Sequence, residues 1–343
     1  MSGKKILVTG GTGYIGSHTV VELINAGYEP LIIDNLSNSS PKILNQIKKI
    51  TGKEPEFYNF NLCDEKLTYE FLETHQDISG LIHFAAFKSV GESEREPLKY
   101  YKNNFYPLIN LIESCSNRQM NLVFSSSCTV YGEPDDLPVN ELAPVKKAES
   151  TYGNTKQIAE EILEEVSGVN ENLKVIALRY FNPVGAHASA LIGELPVGVP
   201  QNLVPFITQA AIGKRGAITV FGDDYHTPDG TCVRDYIHVV DLAKAHVAAI
   251  EHMENSQSAQ RFDIYNIGTG RGYSVLEVIH AFEVASGQQL NYKIGKRRPG
   301  DIEKIYGDVT KAANELSWKA ELGIEEMMSS AWEWEKYINQ NPL

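Results

Sequence analysis

The stretch ILVTGGTGYIGSHTVVELINAG, near the start of the chain, narrows the possible folds more than any other. An apolar, β-branched run passes through Gly10, Gly11, Gly13 and Gly16 and straight into a helical pattern. Glycines at those places let the backbone turn tightly and come close to a pyrophosphate, and the helix that follows offers its free N-terminal amides to the same anion. Asp34 closes the next apolar run, PLIID, 18 residues after Gly16. A carboxylate there accepts hydrogen bonds from an adenosine ribose diol and repels a 2′-phosphate. The NLSNSS that follows has no lysine or arginine to offset that repulsion, so the expected cofactor is NAD rather than NADP.

Short apolar runs recur in a parallel-sheet rhythm. KKILVT, PLIID, EFYNF, GLIHFAA, NLVFSSS and LKVIALRY are strand candidates before residue 181, separated by helical patterns at about 14–27, 64–76, 97–118 and 151–168. Strands this apolar are expected to be buried on both faces. After Tyr180 the chain turns to loops (FNPVGAHASALIGELPVGVP), with helical patterns again near 202–213, 241–252, 274–286 and 325–338. The expected architecture is α/β: a Rossmann-type doubly wound parallel sheet binding NAD in residues 1–180, and a smaller mixed α/β substrate domain in residues 181–343.

Composition limits the partners. A net charge of −13 works against nucleic acid and anionic membranes, which leaves a small molecule as the expected partner. Cys63, Cys115, Cys128 and Cys232 lack CxxC spacing, so neither a zinc site nor a disulfide framework is expected, and a reducing cytoplasm fits. MSGKKILVTGG lacks the apolar run of a secretory signal, and no stretch reaches the roughly 18 apolar residues of a membrane span, so the protein is expected to be soluble.

The sequence STYGNTK carries the catalytic signal. Tyr152 and Lys156 lie one turn apart on a predicted helix and share a face. A free phenol, with a pKa near 10, is a poor base at neutral pH; Lys156 and an oxidised nicotinamide would both favour its phenolate. The run VFSSSCTVYG ends a strand at the edge where a doubly wound sheet binds ligands, making Ser127 a candidate to hydrogen-bond the hydroxyl that Tyr152 deprotonates. Ser125 is expected only to satisfy backbone groups.

Together these motifs resemble the extended short-chain dehydrogenase/reductases and, within them, the UDP-glucose 4-epimerases. The similarity runs through VTGGTGYIGSHT, HFAAFKSVGES, SSSCTVYGEP, YGNTK, LRYFNPVGAH, GDDYHTPDGTCVRDYIHVVDLA and RRPGD. The resemblance implies catalysis by Ser127, Tyr152 and Lys156. It implies NAD contacts from Gly10, Gly13, Tyr14, Ile15 and Gly16, from Asp34, Asn35, Leu36, Ser37, Asn38 and Ser39, from Asn61 and Leu62, from Phe84, Ala85, Ala86, Phe87 and Lys88, and from Asn103, Tyr152, Lys156 and Phe181. For the UDP-sugar it implies Ser127, Thr129, Tyr152, Asn182, Asn202, Leu203, Arg234 and Arg298, Asp301 on the ribose, uracil beside Thr219, Val220 and Phe221, and Ile305 as a size gate at the sugar pocket. Asn61 departs from the aspartate common in the family, although its amide oxygen still accepts a hydrogen bond.

The resemblance also implies the reaction, an interconversion of UDP-glucose and UDP-galactose. Tyr152 removes the 4-hydroxyl proton as NAD takes hydride from C4, the 4-keto sugar turns over, and hydride returns to its other face. A homodimer pairing the 97–118 and 151–168 helices would follow by the same analogy. Two alternatives stay open. A nucleotide-sugar 4,6-dehydratase shares the 4-keto step but needs carboxyl groups where this chain has Cys128 and Thr129. A non-catalytic NAD-binding protein of the same fold would not need Ser127, Tyr152 and Lys156 together.

Overall fold

The computed structural model describes residues 3–115, 117–255, 260–298 and 300–343. Ser116, within the expected 97–118 helix, and Pro299 of RRPGD lie outside the described residues. The first half alternates as expected: β1 (Lys5–Thr9), α1 (Tyr14–Asn25), β2 (Glu29–Ile33), α2 (Lys42–Thr51), β3 (Glu56–Tyr58), α3 (Glu65–Thr74), β4 (Ile78–His83), α4 (Val90–Arg95), α5 (Pro97–Cys115), β5 (Met120–Ser125), a 3₁₀ turn (Cys128–Tyr131), α6 (Thr151–Val169) and β6 (Leu173–Tyr180). The second half adds β7 (Asn182–Val184), α7 (Leu203–Ala211), β8 (Ile218–Phe221), β9 (Val233–His238), α8 (Val239–Asn255), β10 (Phe262–Ile267), β11 (Gly272–Ser274), α9 (Val275–Ser286), β12 (Tyr292–Gly295), β13 (Lys304–Ile305), α10 (Thr310–Glu315) and α11 (Ile324–Gln340).

A seven-stranded parallel sheet, ordered β3-β2-β1-β4-β5-β6-β10, forms the centre. Its strands bury both faces because alternate residues point opposite ways. Ile6 and Val8 of β1 pack with Val20, Val21 and Ile24 of α1 and Ile250 of α8, whereas Leu7 packs with Leu108 and Leu111 of α5 and Leu163 of α6. Each such side chain contributes roughly 1.5–3 kcal/mol on burial. The strand order reverses between β1 and β4, so a ligand crevice opens beyond their C-terminal ends. Thr9 pairs with His83 there, and the next residues are Gly10 and Phe84.

Two features differ from expectation. Helices α2, α4 and α10 were not foreseen, although α2 carries Ile43, Leu44, Ile47 and Ile50 at helical spacing on one face against the core and ends at Gly52, φ 72°. The division at 180/181 is crossed, because β10 completes the central sheet beside β6 and α8 packs on α1. The remaining strands pair outside this sheet: β11, β13 and β7 with β9, and β8 with β12. They form a second core with α7, α9 and α11 that includes Val204, Ile218, Val220, Phe282 and Met327. Among the described residues no helix is long and apolar enough to cross a membrane.

Candidate active site and cofactor crevice

At the crevice, the glycine turn has no room for side chains. A Cβ on Gly16 would stand 2.2 Å from the Gly10 carbonyl oxygen, and one on Gly11 would stand 2.8 Å from the Ile32 side chain. Gly10 takes φ +70°, in the left-handed region. Helix α1 starts at Tyr14 with Gly13 as its N-cap and no side chain capping it, so its first-turn amides stay free for an anion. The backbone thus offers the cradle and donors that a dinucleotide pyrophosphate requires.

Asp34 is buried at the end of β2. It accepts from the Leu36 amide (2.9 Å) and the Ser39 hydroxyl (3.3 Å) on Oδ1, and from the Thr12 amide (3.2 Å) on Oδ2. An ionised carboxylate has about four acceptor positions, so one remains for a ribose hydroxyl. Asn35, Ser37 and Asn38 are exposed and Leu36 is half-buried at φ 59°. Asn61 is also exposed, but its side-chain oxygen accepts from the Cys63 amide at 2.9 Å, and the Leu62 side chain belongs to the core. Ile15 packs against the core on the α1 side of the sheet.

The loop after β4 lies across the crevice from this turn. The Ala85 amide donates to Thr9 Oγ1 at 3.3 Å, while the amide and carbonyl of Phe87 both bond the Asn104 side chain. Asn104 also donates to Thr155 on α6, at 3.1 Å, so it clamps loop to helix; the Asn103 side chain donates to Asn104 Oδ1 at 3.2 Å. The second half reaches over the crevice. Tyr14 donates to the Gly185 carbonyl at 2.6 Å, and Glu194 takes both Lys88 (3.4 Å) and Asn202 (2.7 Å).

Tyr152 sits in the first turn of α6, whose N-cap Ser150 accepts from the Gly153 amide at 3.1 Å. Its amide donates to Ser93 Oγ at 3.1 Å and its side chain is buried. Burial pushes the phenol pKa well above its ordinary value, and nearby Tyr180 adds to the rise, while hydrogen bonding from the Ser127 hydroxyl opposes it. Lys156 lies one turn further along the same helix and is buried. Its Nζ donates to the Ser125 carbonyl at 2.6 Å and stands 4.7 Å over the Phe124 ring. A buried ammonium must find acceptors, and the strand-end carbonyl supplies one. Burial lowers its pKa to about 8, against the pull of Glu160.

Ser127 caps the 3₁₀ turn and accepts from the Thr129 amide at 3.2 Å. The Thr129 hydroxyl oxygen is buried without a hydrogen-bond partner. Burial pushes the Cys128 thiol up to about 12, so it is neither acid nor nucleophile at neutral pH. No carboxyl group stands at Cys128 or Thr129.

The expected substrate residues are more scattered. Asn182 begins β7 and Leu203 begins α7. Arg234 on β9 donates to the Val233 carbonyl at 2.9 Å. Arg298 and Asp301 pair with each other, Nη2 to Oδ1 at 2.7 Å, with the guanidinium 5.5 Å from the Phe221 ring. On β8, Thr219 is half-buried and Phe221 exposed, whereas the Val220 side chain fills the second core. Ile305 on β13 pairs with Arg234 and is 2% exposed, packed with Cys128, Val130, Tyr131, Val139 and Phe181. Ser93, Asn104, Glu160 and Arg179 were not anticipated; they act across long sequence separations that no local pattern marks.

Residues 6–268 match the model of the NAD dependent epimerase/dehydratase family. The chain is 50% identical over 340 residues to a UDP-glucose 4-epimerase of Dictyostelium discoideum, covering 98% of this chain and 97% of the relative. Among solved structures it resembles a UDP-glucose 4-epimerase of Bifidobacterium longum in complex with NAD+ and UDP (46% identity, TM-score 0.92, 98% and 99% of the two chains). It also resembles one from Stenotrophomonas maltophila with bound NAD and formylated UDP-arabinopyranose (44% identity, TM-score 0.94, 98% and 99%).

Proposed function

The chain belongs to the NAD-dependent epimerase/dehydratase family, and we propose that it interconverts UDP-glucose and UDP-galactose, with Tyr152, Lys156 and Ser127 carrying the chemistry. The observation that carries this reading is the convergence of Ser127, Tyr152 and Lys156 beside a glycine turn whose helix amides are free. Bound NAD supplies the hydride acceptor and donor for C4 of the sugar and a positive charge beside the phenol. Under that charge Tyr152 moves from a phenol held protonated by burial to a group that can take the 4-hydroxyl proton and return it. Ser127 bonds the same sugar hydroxyl and orients it, and Thr129 offers its unpartnered hydroxyl to the pyranose. Lys156, anchored on the Ser125 carbonyl, supplies positive charge on the same helix face.

Turning the 4-keto sugar requires that the nucleotide stay fixed while the hexose moves. Arg234 and Arg298 serve as the diphosphate clamp, Arg298 exchanging Asp301 for phosphate as Asp301 takes the ribose. Asn182, Asn202 and Leu203 border the sugar nucleotide, and β8 lies along the uracil through Thr219, Phe221 and the Val220 backbone. The absence of a carboxyl at Cys128 and Thr129 disfavours water elimination. We place the enzyme in the cytoplasm as a homodimer, with NAD held mainly by residues 1–180 and the sugar nucleotide by residues 181–343.

Purified protein incubated with UDP-galactose and no added cofactor should yield UDP-glucose on chromatography, because a cofactor regenerated in every turnover has no need to leave. The Tyr152→Phe protein should fold, retain NAD and lose roughly 2 to 4 orders of magnitude in kcat. Failure of wild-type protein to convert UDP-galactose even with NAD added would refute the activity; near-normal turnover by Tyr152→Phe would refute the role given to the phenol.

A further inference from the structure

Behind the serine turn lies a buried ion pair. Arg179 of β6 donates to both carboxylate oxygens of Glu160 on α6: Nη2 to Oε2 at 2.6 Å, and Nε to Oε1 and Oε2 at 3.1 and 3.2 Å. The two side chains are 3% and 7% exposed. Ser126 Oγ donates to the same carboxylate. Ser126 stands between two residues of the candidate site: the Ser125 carbonyl receives Lys156, and Ser127 lies close enough to Tyr152 to favour its ionised form. Along α6, Tyr152, Lys156 and Glu160 follow at one-turn intervals on one face. Desolvating two charges roughly cancels their attraction, so stability alone does not account for a buried pair at this place.

We propose that Glu160 is a positioning residue, whose carboxylate, held by Arg179, anchors the serine turn through Ser126 and sets negative charge one helical turn from the Lys156 ammonium. The proposal rests on the reading that Tyr152, Lys156 and Ser127 carry the reaction. Burial brings Lys156 down to about 8, and the charge of Glu160 opposes that fall. The other groups facing Lys156 do not supply negative charge at neutral pH. His83 on β4 is neutral, lowered to about 3 by burial and by Lys156 itself. Tyr180 on β6 is a phenol raised to about 12, bonded to Ser125 Oγ at 2.6 Å. Tyr152 is protonated, the Ser125 carbonyl and Phe124 ring are neutral, and Arg179 is positive. Glu160 is thus the anion that keeps the ammonium charged and the turn in register.

The pH dependence of kcat for UDP-galactose conversion by NAD-loaded protein tests this. In Glu160→Gln the basic limb should move to lower pH by roughly 0.5 unit or more, with KM changed less than about twofold, because Lys156 then loses its proton sooner. That variant leaves Arg179 buried and unpaired, so Glu160→Gln/Arg179→Met removes both charges together. Its limb should also fall, by less than in the single variant, since Arg179 no longer repels Lys156. A folded double variant whose limb coincides with wild type, while Lys156→Met is inactive, overturns the positioning role and leaves the catalytic reading standing. Wild-type turnover by Lys156→Met would instead overturn the catalytic reading itself.

Discussion

Ile305 is set among Phe181, Cys128 and Tyr131, directly behind the turn that carries Ser127, and its strand pairs with that of Arg234. That packing makes Ile305 a wall residue of the serine turn, and under the proposed function it would set how deep the sugar pocket runs. Isoleucine is smaller than tyrosine and larger than serine, and it offers no hydrogen bond to an acetamido group. Good kcat/KM on UDP-galactose and weak kcat/KM on UDP-N-acetylgalactosamine should follow, with Ile305→Ser raising the second relative to the first. Removing that packing should also destabilise the protein by on the order of 2–5 kcal/mol, with a buried serine hydroxyl adding to the loss. An unchanged ratio of the two kcat/KM values in the mutant would return Ile305 to a packing role alone.

At the scale of elements, α5 has an apolar stripe facing outward, with Leu98, Tyr106 and Ile109 exposed at 72%, 49% and 36%. Those positions lie on one side of the helix, the pattern of a face awaiting a partner. If this face carries the proposed homodimer, the wild type should sediment as a dimer and a Tyr106→Glu/Ile109→Glu protein as a monomer; a dimeric double variant would place the interface elsewhere, and a monomeric wild type would refute the homodimer. The elements also differ in how far the sequence announced them. β1, α1 and the glycine turn were plain because a change of period coincides with residues that the backbone itself requires. β10 was hidden, since FDIYNI lies 82 residues beyond β6 and only long-range pairing assigns it to the central sheet. Tyr152, Lys156 and Ser127 could be found because two of them share a helix spacing and the third ends a strand. Glu160–Arg179 and Asn104–Thr155 could not, because each joins separate elements and looks like ordinary surface polarity until the fold buries it.

For the whole molecule, burial makes acid the weak side. His18 and His83 are lowered to about 3 and His238 and His246 to about 4, each mainly by desolvation. A histidine with a depressed folded pKa takes its proton more readily when unfolded, so the unfolded state gains as pH falls below about 6.5, by up to about 1.4 kcal/mol per pH unit for each group. Asp235, raised to about 6 by burial, works in the opposite sense, as do Glu22 and Asp241, also raised by burial, but the lowered histidines, His187 among them, outnumber these carboxyls. The melting temperature should thus drop steeply between about pH 6.5 and pH 4.5; a flat calorimetric profile over that range would mean that these rings are not buried as described.

The central claim is that hydrogen leaves C4 and returns to C4 on the other face within one active site. UDP-galactose carrying deuterium at C4 tests it most directly, with the product analysed by NMR and mass spectrometry. The account predicts UDP-glucose that keeps the deuterium at C4. Its loss to solvent, or its appearance at C6 of a deoxy sugar, would contradict the account.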